Sequence, residues 1–200
     1  PPFYGAFLGL EAYFCYYMLK KGITVTQCYM LFAVGGLSDA IMETIGLNLN
    51  IYEYYGLQPY TLFKFPYWWA FVNGASFFVI GFLHWWLVPK LDGWKKLWVL
   101  VMSPAGMMMA YFTTAWPHIL SINSHLPDWA KWIFTTVTMV ACVALVRFLA
   151  SFAAVPEPIH NWTFARMFFY RIMTRKQRDR LDEKMLVRRP GRDLTPSAAD

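Results

Sequence analysis

The chain has 200 residues, of which 58% are hydrophobic, 20% aromatic and only 15% charged, with a net charge of +6. A soluble domain of this size cannot hide that much apolar surface, which excludes an ordinary water-soluble protein. The cations bring no nucleic-acid-binding domain with them, so no nucleic-acid partner is expected.

A bilayer core of roughly 30 Å needs about 20 mostly apolar residues in a helix, and five stretches qualify. The first covers residues 3–19 and stops at Lys20, Lys21 and Gly22. The second covers 25–45. The third starts at Pro66, a favourable first-turn residue, and ends near Val88, before Pro89. The fourth covers 97–116 and is expected to stop before Pro117, which leaves His118 and His125 in an outer loop. The fifth covers 129–152. No stretch alternates as a barrel strand would, so the expected fold class is all-α, a polytopic transmembrane helical bundle. The sequence begins at Pro1 rather than Met, so an upstream segment is expected to be missing, and it could carry one more span.

Lys and Arg set the orientation. With the first helix running inward, Lys20, Lys21, Lys90, Lys95, Lys96, Arg147 and every cation of the C-terminal tail fall on the cytoplasmic side. Only Lys64 and Lys131 fall outside. This reads as a multi-pass protein of a bacterial inner membrane with a cytoplasmic C-terminus. Residues 1–155 form the transmembrane domain. Residues 156–187 form a basic amphipathic segment, helical over 163–186, where Phe164, Met167, Phe168 and Ile172 recur among Arg166, Arg171, Arg175 and Lys176. Residues 188–200 are expected to be disordered. Membrane lipids are the first expected partner.

Ionisable groups inside a membrane helix point to function. Glu11, Asp39 and Glu43 fall within spans. Asp39 and Glu43, four residues apart, share one helix face. Two carboxylates at that spacing in a low dielectric do not both ionise easily, which leaves a protonated acid beside a carboxylate. Such a pair donates a proton to an oxygen and stabilises the cation that develops. Asp39 and Glu43 are therefore the candidate catalytic residues. Glu11 and Asn73 are expected to converge with them on one enclosed outer-leaflet pocket. The outer segment 46–65 carries Tyr52, Glu53, Tyr54, Tyr55 and Tyr60. It reads as an aromatic belt or as a lid, with Tyr54 and Tyr55 as candidate substrate contacts. No metal-ligand spacing appears among the histidines or among Cys15, Cys28 and Cys142, so neither a metal nor another cofactor is expected.

The stretch GGLSDAIMETIGLNLNIYEYYGLQPY from Gly35, followed by FPYWWAFVNGASFFVIGFLHWWLVPKLDGWKK from Phe65, resembles the spirocyclase AveC-like family of bacterial membrane proteins. The carrying features are the acids Asp39 and Glu43, the turn at Tyr55-Gly56, the aromatic run ending at Asn73, and the closing Pro89-x-Leu-x-Gly93. The resemblance implies acid-catalysed spiroketal closure in a polyketide, or a related cyclisation of a terpenoid or other lipid-like molecule. It assigns no catalytic residue, so the site rests on the carboxylate argument. The alternative is a non-catalytic subunit of a larger membrane complex, with outward Trp and Phe serving other membrane subunits.

The charge asymmetry makes a direct prediction. In sealed cells a membrane-impermeant thiol reagent labels a cysteine placed at Lys64 and not one placed at Lys95. Labelling at Lys95 from outside overturns the orientation.

Overall fold

The computed structural model describes residues 2–155, in one compact unit. The expected tail helix and the disordered end lie outside the described residues. Among the described residues, six α-helices carry the fold: α1 (Pro2–Lys21), α2 (Val25–Asn48), α3 (Tyr67–Leu87), α4 (Val99–Ala110), α5 (Trp116–Ile122) and α6 (Asp128–Ala153). A two-residue hairpin, β1 (Thr61–Leu62) against β2 (Phe65–Pro66), closes the α2–α3 connection.

Among the described residues, four stretches are long and apolar enough to cross a membrane: Val25–Asn48, Tyr67–Lys90, Gly93–Ile122 and Asp128–Ala153. The stretch read as a first span forms α1 but falls outside this set. Four tyrosines, Glu11 and the terminal lysines dilute its apolar content.

The fourth span runs further than its sequence indicates. Pro117 does not stop the helix. A π-helical segment, Tyr111–Ala115, passes directly into α5, and Pro117 occupies the opening turn of that helix. Its missing N–H removes one bond from a helix that is otherwise continuous, beside a π-helical turn where the ladder already changes register. His118, expected in a loop, is consequently helical and fully buried.

The helix at the centre is α3, which packs against α1, α2, α4 and α6. Small residues allow these contacts, because helices in a bilayer associate through close packing rather than through exclusion of water. A methyl group on Gly36 would lie 2.7 Å from the Ala70 carbonyl oxygen, and one on Gly74 would lie 2.9 Å from the Phe32 carbonyl oxygen. Those two glycines let α2 and α3 touch backbone to backbone. The start of α2 is fixed by a reciprocal cap. Gln27 N donates to Thr24 Oγ1 at 3.3 Å, and Thr24 N donates to Gln27 Oε1 at 3.0 Å. Val155 N donates to Ile23 O at 2.9 Å, tying the end of α6 to the same place.

Gly36→Ala and Gly74→Ala are expected to destabilise the folded protein by about 1–3 kcal/mol each, the usual cost of overpacking. Gly9→Ala, with no heavy atom within 4 Å of the added methyl, is the neutral control. Thermal unfolding in detergent compares the three. Equal stabilities would remove the α2–α3 contact as the packing constraint.

Candidate functional site

Asp39 and Glu43 lie one helical turn apart on α2 and face inward, at 1% and 4% exposure. Each is met by donors from other elements. Asn73 Nδ2, on α3, donates to Asp39 Oδ2 at 2.8 Å. Tyr111, the first residue of the π-helical segment, donates its hydroxyl to Asn73 Oδ1 at 2.7 Å. Trp69 Nε1 donates to Glu43 Oε1 at 3.1 Å, and the Tyr54 hydroxyl donates to Glu43 Oε2. Trp69 also meets the rings of Tyr54 and Tyr111, with centroids 6.1 and 5.3 Å away. The result is a short polar chain, Tyr111–Asn73–Asp39, beside a carboxylate held by an indole and a phenol.

The residues of the α2–α3 connection deliver Tyr54. Gly46 leaves room for the Tyr52 ring, whose Cε1 would lie 2.9 Å from an added methyl. The Tyr52 ring in turn meets Tyr54 edge-on at 6.2 Å. Farther along, Lys64 Nζ donates to Asn50 Oδ1 at 2.8 Å and Asn48 Nδ2 donates to the Phe63 carbonyl at 3.1 Å. Burial pushes the Tyr54 phenol well above its ordinary value, and the Glu43 carboxylate pushes it further in the same direction. Tyr52 is raised by the same two causes in the same order. Tyr54 therefore stays protonated and remains a donor. The Trp69 indole can only donate. Both Glu43 oxygens therefore accept a hydrogen bond.

The sequence-derived candidates divide. Asp39, Glu43, Asn73 and Tyr54 come together. Glu11 does not join them. Ser38 Oγ hydrogen-bonds to Glu11 Oε1 between α1 and α2, and Glu11 Oε2 is buried with no partner. Ser38 precedes Asp39, and on a helix adjacent residues point to different sides, so the two acids of α2 and Glu11 serve different interfaces. Tyr55 is 67% exposed, and its carbonyl accepts from Gln58 Nε2 at 2.7 Å. One residue from Tyr54 along an irregular loop, its ring stays at the surface.

A cavity lies at this end of the bundle as well. A space of about 610 Å³ sits in the α2–α3 connection, within the usual range for small-molecule sites. Its walls include Tyr52, Glu53, Tyr54, Gln58 and Lys64, and do not include Asp39, Glu43 or Asn73. Tyr54 is shared. It lines the cavity and holds Glu43 at once.

Tyr111 and His118 were not singled out as site residues from the sequence. Tyr111 reads as one more aromatic in an apolar run, and only the π-helical turn aims it at Asn73. No group of three His, Cys, Asp or Glu side chains suited to a metal ion occurs among the described residues. No protein-family model, no curated protein and no solved structure matches the chain.

The raised Tyr54 and Tyr52 phenols set a pH dependence. The folded state keeps their protons at a pH where the unfolded chain, with tyrosines near about 10, has released them. Their contribution is therefore complete below about pH 10 and is lost as the pH rises above that value. Thermal melts in detergent are expected to fall steeply in the alkaline range for the native chain and less steeply for Tyr54→Phe. Identical slopes would mean that the Tyr54 phenol is not held by Glu43.

Proposed function

We propose that the chain is a membrane enzyme resembling spirocyclases, which closes a ring in a lipid-like, hydroxylated substrate by acid catalysis. The observation that carries this reading is the pair of buried carboxylates on one face of α2, supplied with polar donors and ringed by Tyr54, Trp69 and Tyr111. In this reading Glu43 is the standing carboxylate, because both its oxygens accept hydrogen bonds. Asp39 is the acid. It protonates the departing hydroxyl of a hemiketal, water leaves, and an oxocarbenium ion forms. The Glu43 charge and the aromatic faces stabilise that cation. A second hydroxyl of the substrate then attacks it and passes its proton to the Asp39 carboxylate, which restores the acid. No cofactor enters the reaction. A dihydroxy-ketone polyketide fits these steps, and so does a terpenoid carrying equivalent oxygens.

The topology proposed with it has α1 as a fifth span, Pro1 outside, and the C-terminal tail in the cytoplasm of a bacterial cell, with the site in the outer leaflet. The position of Asp39 and Glu43 toward the Asn48 end of α2, and the placement of the cations, support this arrangement. A subunit role is the second reading. The span Gly93–Ile122 turns Trp94, Trp98, Phe112 and Trp116 outward, and another membrane chain could cover them as lipid would.

Asp39→Asn and Glu43→Gln keep shape and remove the acid chemistry. Each is expected to fold normally and to lose turnover by about a hundredfold or more in a reconstituted assay with a dihydroxy-ketone substrate, the usual scale for general acid catalysis. Full activity in both variants would refute the assignment. Recovery of the native chain only in fixed stoichiometry with another membrane protein after mild solubilisation, with no turnover alone, would favour the subunit reading.

A further inference from the structure

Asp39 and Glu43 are closed off, at 1% and 4% exposure, and the cavity in the α2–α3 connection stops short of both. A molecule in that cavity reaches them only if a wall moves. Glu43 carries one donor on each oxygen, the Trp69 indole on Oε1 and the Tyr54 hydroxyl on Oε2. Trp69 stands in the first turn of α3, the helix packed against α1, α2, α4 and α6. Its ring also meets those of Trp68 and Tyr111, at 4.7 and 5.3 Å. Moving Trp69 therefore disturbs the centre of the bundle.

Tyr54 is placed differently. Residues 52–57 make no hydrogen bond from backbone to backbone. Both ends of this stretch are tied down, by Lys64 on Asn50 and by the Tyr60 hydroxyl on Thr136. Gly56 lies within it at a φ of 71°, with no heavy atom within 4 Å of an added methyl. A segment held at its ends and free of backbone bonds between them opens at lower cost than a packed helix. Tyr54 is also the residue that lines the cavity and touches Glu43 at once.

We propose that the cavity of the α2–α3 connection receives the substrate and that Tyr54 is its movable wall, giving way when a ligand hydroxyl takes the place of the phenol on Glu43 Oε2. That the ligand is the substrate rests on the proposed function. The route from cavity to Glu43 rests on the position of Tyr54. The exchange replaces one O–H donor by another, so no buried oxygen is left unpaired. An ether or a ketone has no proton to give and cannot complete it. The other walls suit hydroxyls on an apolar skeleton. Glu53 accepts from a hydroxyl, and Lys64 keeps two protons beyond the one it gives Asn50. Leu57 and the Tyr52 ring supply apolar surface.

The experiment uses the whole chain in lipid nanodiscs. A water-soluble carbodiimide with glycine ethyl ester converts accessible carboxyls to amides, and peptide mass spectrometry reads the rate at each residue. Tyr54→Ala is expected to speed amidation of Glu43 about tenfold and to leave Glu11, at the α1–α2 interface, unchanged. An unchanged rate at Glu43 overturns the proposal. The native cysteines are buried, so a bulky maleimide on Leu57→Cys fills the cavity selectively. It is expected to slow amidation of Glu43 about tenfold relative to the unlabelled variant, and no slowing also overturns the proposal. Should Tyr54→Ala fail to fold, this block decides alone. Dodecane-1,2-diol is expected to protect Glu43 in the native chain, and its dimethyl ether to protect about tenfold more weakly. Equal protection refutes the exchange of hydroxyls. None of these readouts is turnover, so they remain decisive if Asp39→Asn and Glu43→Gln keep their activity and the acid reading fails.

Discussion

The contact on which the site depends is the hydrogen bond from Asn73 to Asp39, made between two helices that are long and apolar enough to cross a membrane. A carboxylate within a membrane span is expensive, by roughly 2.5 kcal/mol or more at the bilayer centre when charged. Hydrocarbon offers it no donor. The donor has to come from another helix, and it has to be close. The α2–α3 approach supplies that closeness, because Gly36 and Gly74 bring backbone against backbone on the stretch that carries Asp39 and Asn73. Packing and polar chemistry are therefore one constraint here. A bulkier residue at either glycine would separate not only two helices but an acid from its donor.

The same demand explains why the site draws on so many elements. A single helix cannot satisfy two carboxylates on its own face. Asp39 takes its donor from α3, and that donor is oriented by Tyr111 of the π-helical segment. Glu43 takes one donor from the first turn of α3 and one from the connection that precedes it. An irregular connection packed beside the carboxylates holds its shape by pairing its own polar groups. Asn50, Tyr60, Phe63 and Lys64 all adopt positive φ, at 54°, 58°, 49° and 66°. Left-handed backbone is costly for residues other than glycine, and it persists only where surrounding contacts hold it. Those contacts are present: Lys64 to Asn50, Asn48 to the Phe63 carbonyl, and the Tyr60 hydroxyl to Thr136 of α6 at 2.9 Å. The loop is thus a built element that carries Tyr54 to Glu43, and the cavity beside it has Tyr54 as a wall.

The π-helical segment has two consequences at once. Its wider turn points Tyr111 at Asn73, and the span continues from it through Pro117 into α5. Such segments occur often at functional sites, because an added residue in one turn re-aims the side chains on either side of it. Here one side leads to the carboxylates and the other to His118. Tyr111, which reaches the carboxylates through Asn73, and His118 thus belong to one span.

Much of the architecture was legible in the order of residues alone. Apolar runs of about 20 residues, lysines at their ends and the Asp39–Glu43 spacing require no knowledge of neighbours, since length, transfer energy and helical period are local properties. These led to a helical bundle with two acids on one face, and four of the expected stretches have the length and composition of spans. Other features were decided only by tertiary structure. Glu11 lies on α1, and its polar contact is with Ser38, so standing in an apolar run like the other acids did not bring it to them. Tyr54 and Tyr55 are indistinguishable by type, and the course of an irregular loop chose between them. The continuation past Pro117, the burial of His118 and the aim of Tyr111 follow from a π-helical turn. No local residue pattern specifies such a turn, because its geometry is set by how the helix packs against α3 and α6.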